Sequence, residues 1–181
     1  TEAYDWPETF FAPRTWHIRR PQPDAQELAE ATEAIRRARK PIIIAGGGVL
    51  YSLATDTLRS FAEKHQIPVA ETQAGKSSLP WDHPLNLGSI GVTGSSAANA
   101  IAQDADLIIA VGTRLQDFTT GSWALFRNPE RRILAINVAA YDAGKHRAIP
   151  LVADAKVALE ALSAALGDHR ATPPEPQLKA E

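Results

Sequence analysis

The chain has 181 residues, 44% hydrophobic and 22% charged, with 19 Lys or Arg against 21 Asp or Glu and a formal net charge of −2. That is enough chain for one domain with a proper core, and the near-neutral balance leaves no basic footprint for nucleic acid or an anionic membrane. Without cysteine there is no disulfide framework, thiolate nucleophile or Cys-type zinc site; no apolar run approaches the roughly 20 residues that cross a bilayer, and the cytoplasm is the expected compartment.

The opening stretch, TEAYDWPETFFAPRTWHIRRPQP, has neither helical nor strand periodicity, and the closing ATPPEPQLKAE is polar and proline-rich, the composition of a linker. Residues 1–23 and 169–181 are therefore read as linkers to an upstream and a downstream domain, around a domain at 24–168. Within it, Asp24 followed by Glu27 predicts a reciprocal N-terminal cap on a helix running to Arg39, with Leu28, Ala31, Ile35 and Ala38 on one face. Lys40 to Ile44 (KPIII) reads as a buried strand, and GGGVLY turns the chain into a helix over Thr55–His65. Ile67 to Ala70 is the next strand. Asn86 to Gly91 (NLGSIG) adds a short one, which makes the total five or six. A helix over Ser95–Gln103 precedes the strands DLIIAVG, RILAINV and IPLVAD, and a last helix spans Ala155–Leu166, with Gly167 as its stop.

Strands alternating with helices at this spacing predict an α/β fold: an open, doubly wound, Rossmann-like parallel sheet with helices on both faces. In such a sheet ligands bind beyond the carboxyl ends of the strands. The residues that fall there are Gly46, Gly47 and Gly48 after the first strand, Thr72, Gly75 and Lys76 after the second, Gly112 and Arg114 after the fourth, and Asn137 after the fifth. They are the candidate cofactor-binding residues. Two long connections, 72–94 and 112–131, leave the same edge and carry Trp81, Phe118, Trp123 and Phe126, which either anchor the loops or pack on a neighbouring domain.

The familiar motifs fail on inspection. AETQAGKS, residues 70–77, has the letters of a P-loop, but Pro80 and Pro84 forbid the helix it needs, and neither LIIAVG nor ILAINV ends in the aspartate that would help hold Mg²⁺. AGGGVLY places Tyr51 where a dinucleotide fingerprint requires its third glycine. The three glycines therefore make either a tight turn or a close approach for a ligand backbone-first. The five histidines show no metal-ligand spacing, Ser95 and Ser96 read as helix caps, and no catalytic constellation emerges.

Taken in order, RRPQPDAQELAEA, RKPIIIAGGGV, IPVAETQAGKSSLPWDHPLNLGSIG, ADLIIAVGTRLQDF and ILAINVAAYDAGK resemble the central domain of thiamine-diphosphate-dependent enzymes of the acetolactate synthase type, across residues 18–166. The resemblance implies a domain between a pyrimidine-binding and a diphosphate-binding domain of the same chain. It also implies thiamine diphosphate and Mg²⁺ held by those other domains, a homo-oligomer at full length, and a fragment inactive alone. The long loop segments are most similar to a hydrolase branch that opens the ring of a trihydroxylated cyclic diketone in inositol catabolism. An acetolactate synthase-like carboligase or decarboxylase, or a free-standing nucleotide-binding module, are the alternatives. Flavin-binding relatives carry an acidic pair where Asn137 and Ala139 stand here, so no flavin is expected.

Overall fold

The computed structural model describes residues 3–172, so most of the expected 169–181 linker, together with Thr1 and Glu2, lies outside the described residues. Six parallel strands form one open sheet in the order β3-β2-β1-β4-β5-β6: β1 (Pro41–Ala45), β2 (Val69–Glu71), β3 (Asn86–Ser89), β4 (Leu107–Val111), β5 (Arg132–Asn137) and β6 (Ile149–Val152). The chain turns back between β1 and β4, which lie side by side with Ile43 opposite Ile109. That reversal makes their carboxyl ends the natural crevice of the fold.

Side-chain alternation splits the core in two. Ile43, Ala45, Ile109, Val111, Leu134 and Ile136 face α1 (Ala25–Arg37), α3 (Thr55–His65) and α7 (Ala155–Leu166). Ile42, Ile44, Ile108 and Ala110 face α4 (Ser96–Asp104) and the segment from Leu115 to Phe126. Strands buried on both faces read as unbroken apolar runs, as Ile42–Ile44 does, and each isoleucine so buried contributes about 2–3 kcal/mol. Among the described residues no helix is long and apolar enough to cross a membrane.

Local signals set most element ends. Asp24 caps α1 by accepting from the N–H groups of Gln26 and Glu27, and Ser95 caps α4 through the N–H of Ala98 at 3.1 Å. The expected reciprocal cap from Glu27 is not made: its Oε2 instead accepts the N–H of Val152 at 2.8 Å. That contact closes the outer edge of β6, where alternation from the inward bond of Ala153 to Asn137 leaves positions 150 and 152 facing out and Pro150 has no N–H to offer. At the other edge, Leu87 O accepts from Ser95 Oγ and Ser89 O from Ser95 N, each at 2.8 Å. Both sheet edges are thus stoppered, leaving strand ends, not strand edges, for meeting anything else.

GGGVLY forms more than a turn, since α2 spans Gly47–Tyr51. The long connections also hold short helices the sequence pattern does not announce, α5 (Asp117–Thr120) and a 3₁₀ turn at Gln73–Gly75, and the link from β5 to β6 holds α6 (Ala140–Ala143). At the entry, Arg20 donates to Ser52 O at 2.7 Å and pairs with Asp154 at 2.9 Å, while Asp154 N donates to Pro21 O. At the exit, Ala171 N donates to His65 O at 2.9 Å and His65 Nδ1 lies 2.7 Å from His169 O.

Candidate functional site

The carboxyl rim of the sheet gathers every residue marked from the sequence, but not into one cluster. Gly46, Gly48, Gly75 and Gly112 form a closed knot of backbone. A Cβ on Gly46 would lie 2.3 Å from Gly112 O, one on Gly48 2.6 Å from Gly112 Cα, and one on Gly75 2.1 Å from Ala45 O. Gly46 N donates to Val111 O and Gly48 N to Gly112 O, so two of the amides that could cradle a phosphate are spent inside the protein. Gly47 is the looser member, with Ala74 at 3.3 Å from its would-be Cβ. Thr72 is buried and holds the adjoining turn, its Oγ1 accepting from Gly75 N at 3.1 Å.

Asn137 closes β5 with its own amide, Oδ1 accepting from Ala139 N at 3.0 Å ahead of α6. Arg114 is exposed, and its side chain makes no hydrogen bond among the described residues. Lys76 is also exposed and borders two hollows.

The open part of the rim lies over β2 and β3. A pocket of about 330 Å³ is bounded by Glu71, Lys76, Trp81, Asn86 and Phe118, and a neighbouring hollow of about 420 Å³ shares Glu71, Lys76 and Trp81 with it. The two long connections meet here. Val92 N donates to Phe118 O at 2.9 Å, and Asn99 grips Gly91 from both sides, accepting from its N–H at 3.1 Å and donating to its carbonyl at 2.9 Å. The aromatics of these loops divide sharply: Phe126 is buried as an anchor, whereas Trp81 and Phe118 are 89% and 74% exposed. Tyr51, Leu53, Val92, Val138 and Tyr141, all on segments leaving strand ends, are exposed as well. Large apolar side chains thus stand exposed on several of the segments that leave the strand ends.

Glu71, the last residue of β2, has no place in the sequence-based set. It is buried, and its Oε1 accepts the N–H of Leu79 at 2.9 Å, tying the proline-rich loop down against the strand. Its signal was a carboxylate ending an apolar strand at the ligand edge. Among the described residues no serine or threonine hydroxyl at this rim is hydrogen-bonded to a histidine or carboxylate. The contact of Ser163 Oγ with His65 Nε2, at 3.3 Å, lies on the seam between α3 and α7. Nor do three or more His, Asp or Glu come together as a metal site among the described residues; the residues present do not fit a magnesium–diphosphate centre. Chemically the described part of the rim offers hydrogen-bonding groups, the exposed cations Lys76 and Arg114, and aromatic faces.

Known proteins resemble this chain over most of its length. The profile of the family described as thiamine pyrophosphate enzyme, central domain, matches residues 28–162, and the chain belongs to that family. More narrowly, it is 55% identical over 168 residues to the 3D-(3,5/4)-trihydroxycyclohexane-1,2-dione hydrolase of Geobacillus thermodenitrificans, covering 93% of this chain and 26% of the relative. With the enzyme of the same name from Clostridium tetani it shares 52% identity over 162 residues, 90% of this chain and 25% of the relative. A solved structure described as a thiamin diphosphate-dependent enzyme isolated from Mycobacterium smegmatis superposes with a TM-score of 0.69 at 26% identity, covering 91% of this chain and 32% of that one. The chain spans about a quarter of the length of the curated relatives it matches.

Proposed function

We propose that this chain serves as the central domain of a thiamine-diphosphate-dependent hydrolase that opens the ring of trihydroxycyclohexane-1,2-dione to 5-deoxyglucuronate. The observation that carries this reading is the 55% identity across 93% of the chain, a span that takes in both long rim loops as well as the framework. In this reading residues 24–168 form the domain. The flanking segments join it to a pyrimidine-binding domain before and a diphosphate-binding domain after, and the whole enzyme is a cytoplasmic homo-oligomer.

Thiamine diphosphate and Mg²⁺ would be held by the other two domains, supplying the carbanion chemistry of C–C cleavage there. This chain's part is to present its apolar rim to them and to set the shape of the loops that border the substrate. Trp81, Phe118 and Lys76 are the residues assigned to that contact. Gly46, Gly48, Gly75 and Gly112 serve as the framework that fixes the loops, with Thr72 and Asn137 closing the adjoining turns, and Arg114 steadies a neighbouring domain or an anion. No flavin is bound in this reading. Two glycine amides are engaged internally, and Asn137 offers an amide already bonded to Ala139 where a ribose-holding carboxylate would be needed.

The test is a transplant. Replacing the matching quarter of the Geobacillus enzyme with this chain should give a protein that binds thiamine diphosphate and opens the diketone with kcat/KM within about tenfold of the parent, or about 1.4 kcal/mol of transition-state stabilisation. A chimera that binds the cofactor and carries out carboligation of pyruvate instead of ring opening would overturn the substrate assignment.

A further inference from the structure

A second hollow, unrelated to the rim, opens at the amino ends of β5 and β6. It measures about 540 Å³ and is walled by Trp123, Arg131, Arg132, His146 and Arg147 over a floor that includes Ile133. No carboxylate lines it; Arg132 also borders a separate hollow with Glu30 and Glu33, where Glu30 accepts from Gln26 Nε2 at 3.0 Å, and the other acids nearby are engaged as follows. Asp142 pairs with Lys145 at 2.6 Å, Glu33 pairs with Arg37, and Asp106 accepts the N–H groups of Arg39 and Lys40, both at 2.8 Å. Glu130 stands between Pro129 and Arg131 in the chain, exposed and outside the lining. Arg131 donates to the Asn128 carbonyl at 3.2 Å. The guanidinium groups of Arg132 and Arg147 make no hydrogen bond or ion pair among the described residues.

The backbone around this hollow is held under strain. Ser122, Trp123, His146 and Arg147 have φ of +51°, +69°, +59° and +55°, left-handed conformations that cost a non-glycine residue roughly 1–2 kcal/mol each. Two of these residues sit on the connection into β5 and two on the connection into β6, facing each other. The Trp123 and His146 rings meet at 4.3 Å, and Trp123 also packs on the buried Phe126 at 5.8 Å. Strain of this kind persists where neighbours enforce it, and it collects at ligand clamps. Here it fixes an indole and an imidazole as one wall, with Arg147 on the same turn as the imidazole and Arg132 at the start of β5 bordering the space beside them.

We propose that this hollow binds a small, multiply charged anion of the phosphate or carboxylate class, at a site separate from the carboxyl rim. Guanidinium forks match both kinds of oxyanion bidentately. The volume lies in the range of small-molecule sites, and a concave arrangement of cations suits a compact ligand better than a flat protein face. Exposed charge pairs are screened by salt, so binding should weaken steadily as ionic strength rises.

The test follows the indole N–H resonance of Trp123, assigned with Trp123→Phe, while the 181-residue chain is titrated with inorganic pyrophosphate, citrate or chloride at matched ionic strength. A saturable shift with pyrophosphate or citrate at sub-millimolar concentration is expected, and which of the two binds more tightly names the class. Arg132→Ala combined with Arg147→Ala should weaken it at least about tenfold, because two charge-assisted contacts are lost. The melting midpoint should hold, since both residues are exposed, and Arg14→Ala should change nothing. A shift that grows linearly and equally with chloride overturns the proposal, as does unchanged affinity in the double variant.

Discussion

Gly112 and Gly88 both stand at the carboxyl rim with left-handed φ, +60° and +82°, yet their surroundings are opposite. The space beside Gly112 is filled by Gly48, whose Cα would lie 2.5 Å from an added Cβ; beside Gly88 the nearest atom is Ser95 Oγ at 3.6 Å. The first belongs to the knot that locks β1, β4 and the start of α2 together, the second to the open pocket between the long loops. Glycine at a ligand edge therefore has two uses here. In the knot it lets backbone approach backbone, and the protein is its own ligand. In β3 it only permits the irregular step between Asn86 and Ser89, leaving the space beside it to whatever covers the rim.

Alanine at the two positions separates these uses. Gly112→Ala combines the left-handed cost with overpacking against backbone that cannot rotate away, about 2–5 kcal/mol in all. Against a typical domain stability of roughly 5–15 kcal/mol that is a large share. Gly88→Ala carries the backbone cost alone, about 1–2 kcal/mol. Urea denaturation of both variants measures the difference. Equal losses would mean that the knot relaxes and that its closeness is not what fixes the rim.

A smaller effect concerns His65, whose ring holds the exit segment. Burial lowers its pKa below the usual 6.5, opposed by its hydrogen bond to the His169 carbonyl and reinforced by the neighbouring charges of Lys64, His169 and Arg170. The folded chain thus keeps the ring neutral at pH values where the unfolded chain already protonates it. Because the unfolded state then binds more protons, stability falls as pH drops below about 6.5, continues falling to the lower folded value, and has no slope from this residue above neutrality. His65→Gln should flatten the melting-temperature profile as the pH falls below 6.5. An unchanged slope would assign the acid sensitivity to other groups and leave the exit segment unclasped by His65.

The framework was legible because its signals are local. The bounds Thr55–His65 and Ala155–Leu166 follow from helical spacing with a stop residue, and the strands from β-branched runs. β2 begins two residues later than the pattern suggests because Ile67 N is used to close α3, donating to Ala62 O at 3.1 Å beyond the left-handed Gln66. The candidate site was legible in place but not in kind. That Gly48 is filled by Gly112, that Glu71 reaches Leu79 and that Glu27 leaves its own cap for Val152 all depend on which strands become neighbours, and a window of sequence does not contain that. The division of the aromatics, Phe126 inward and Trp81 and Phe118 outward, has the same origin: all three sit in loops of similar composition, and the fold of the loop decides.

The smallest expected change in the isolated chain is also the most informative about the open half of the rim. Trp81 and Phe118 border the same pocket and carry no hydrogen bonds from their side chains among the described residues, and both are mostly exposed. Replacing them together, Trp81→Ala with Phe118→Ala, removes little buried area, so the stability of the 181-residue chain should shift by less than about 0.5 kcal/mol. In the chimera built on the Geobacillus enzyme the same pair should matter, because aromatic side chains buried at an interface are the ones whose truncation costs about 2 kcal/mol or more. Ring-opening kcat/KM would then fall by at least about tenfold, or the thermal midpoint of the chimera would drop while that of the free chain holds. A loss of stability in the free chain itself would place these rings in the domain's own fold. Indifference in both settings would mean that the rim is covered elsewhere, leaving Tyr51, Val138 and Tyr141, on the side of α2 and α6, as the covered surface.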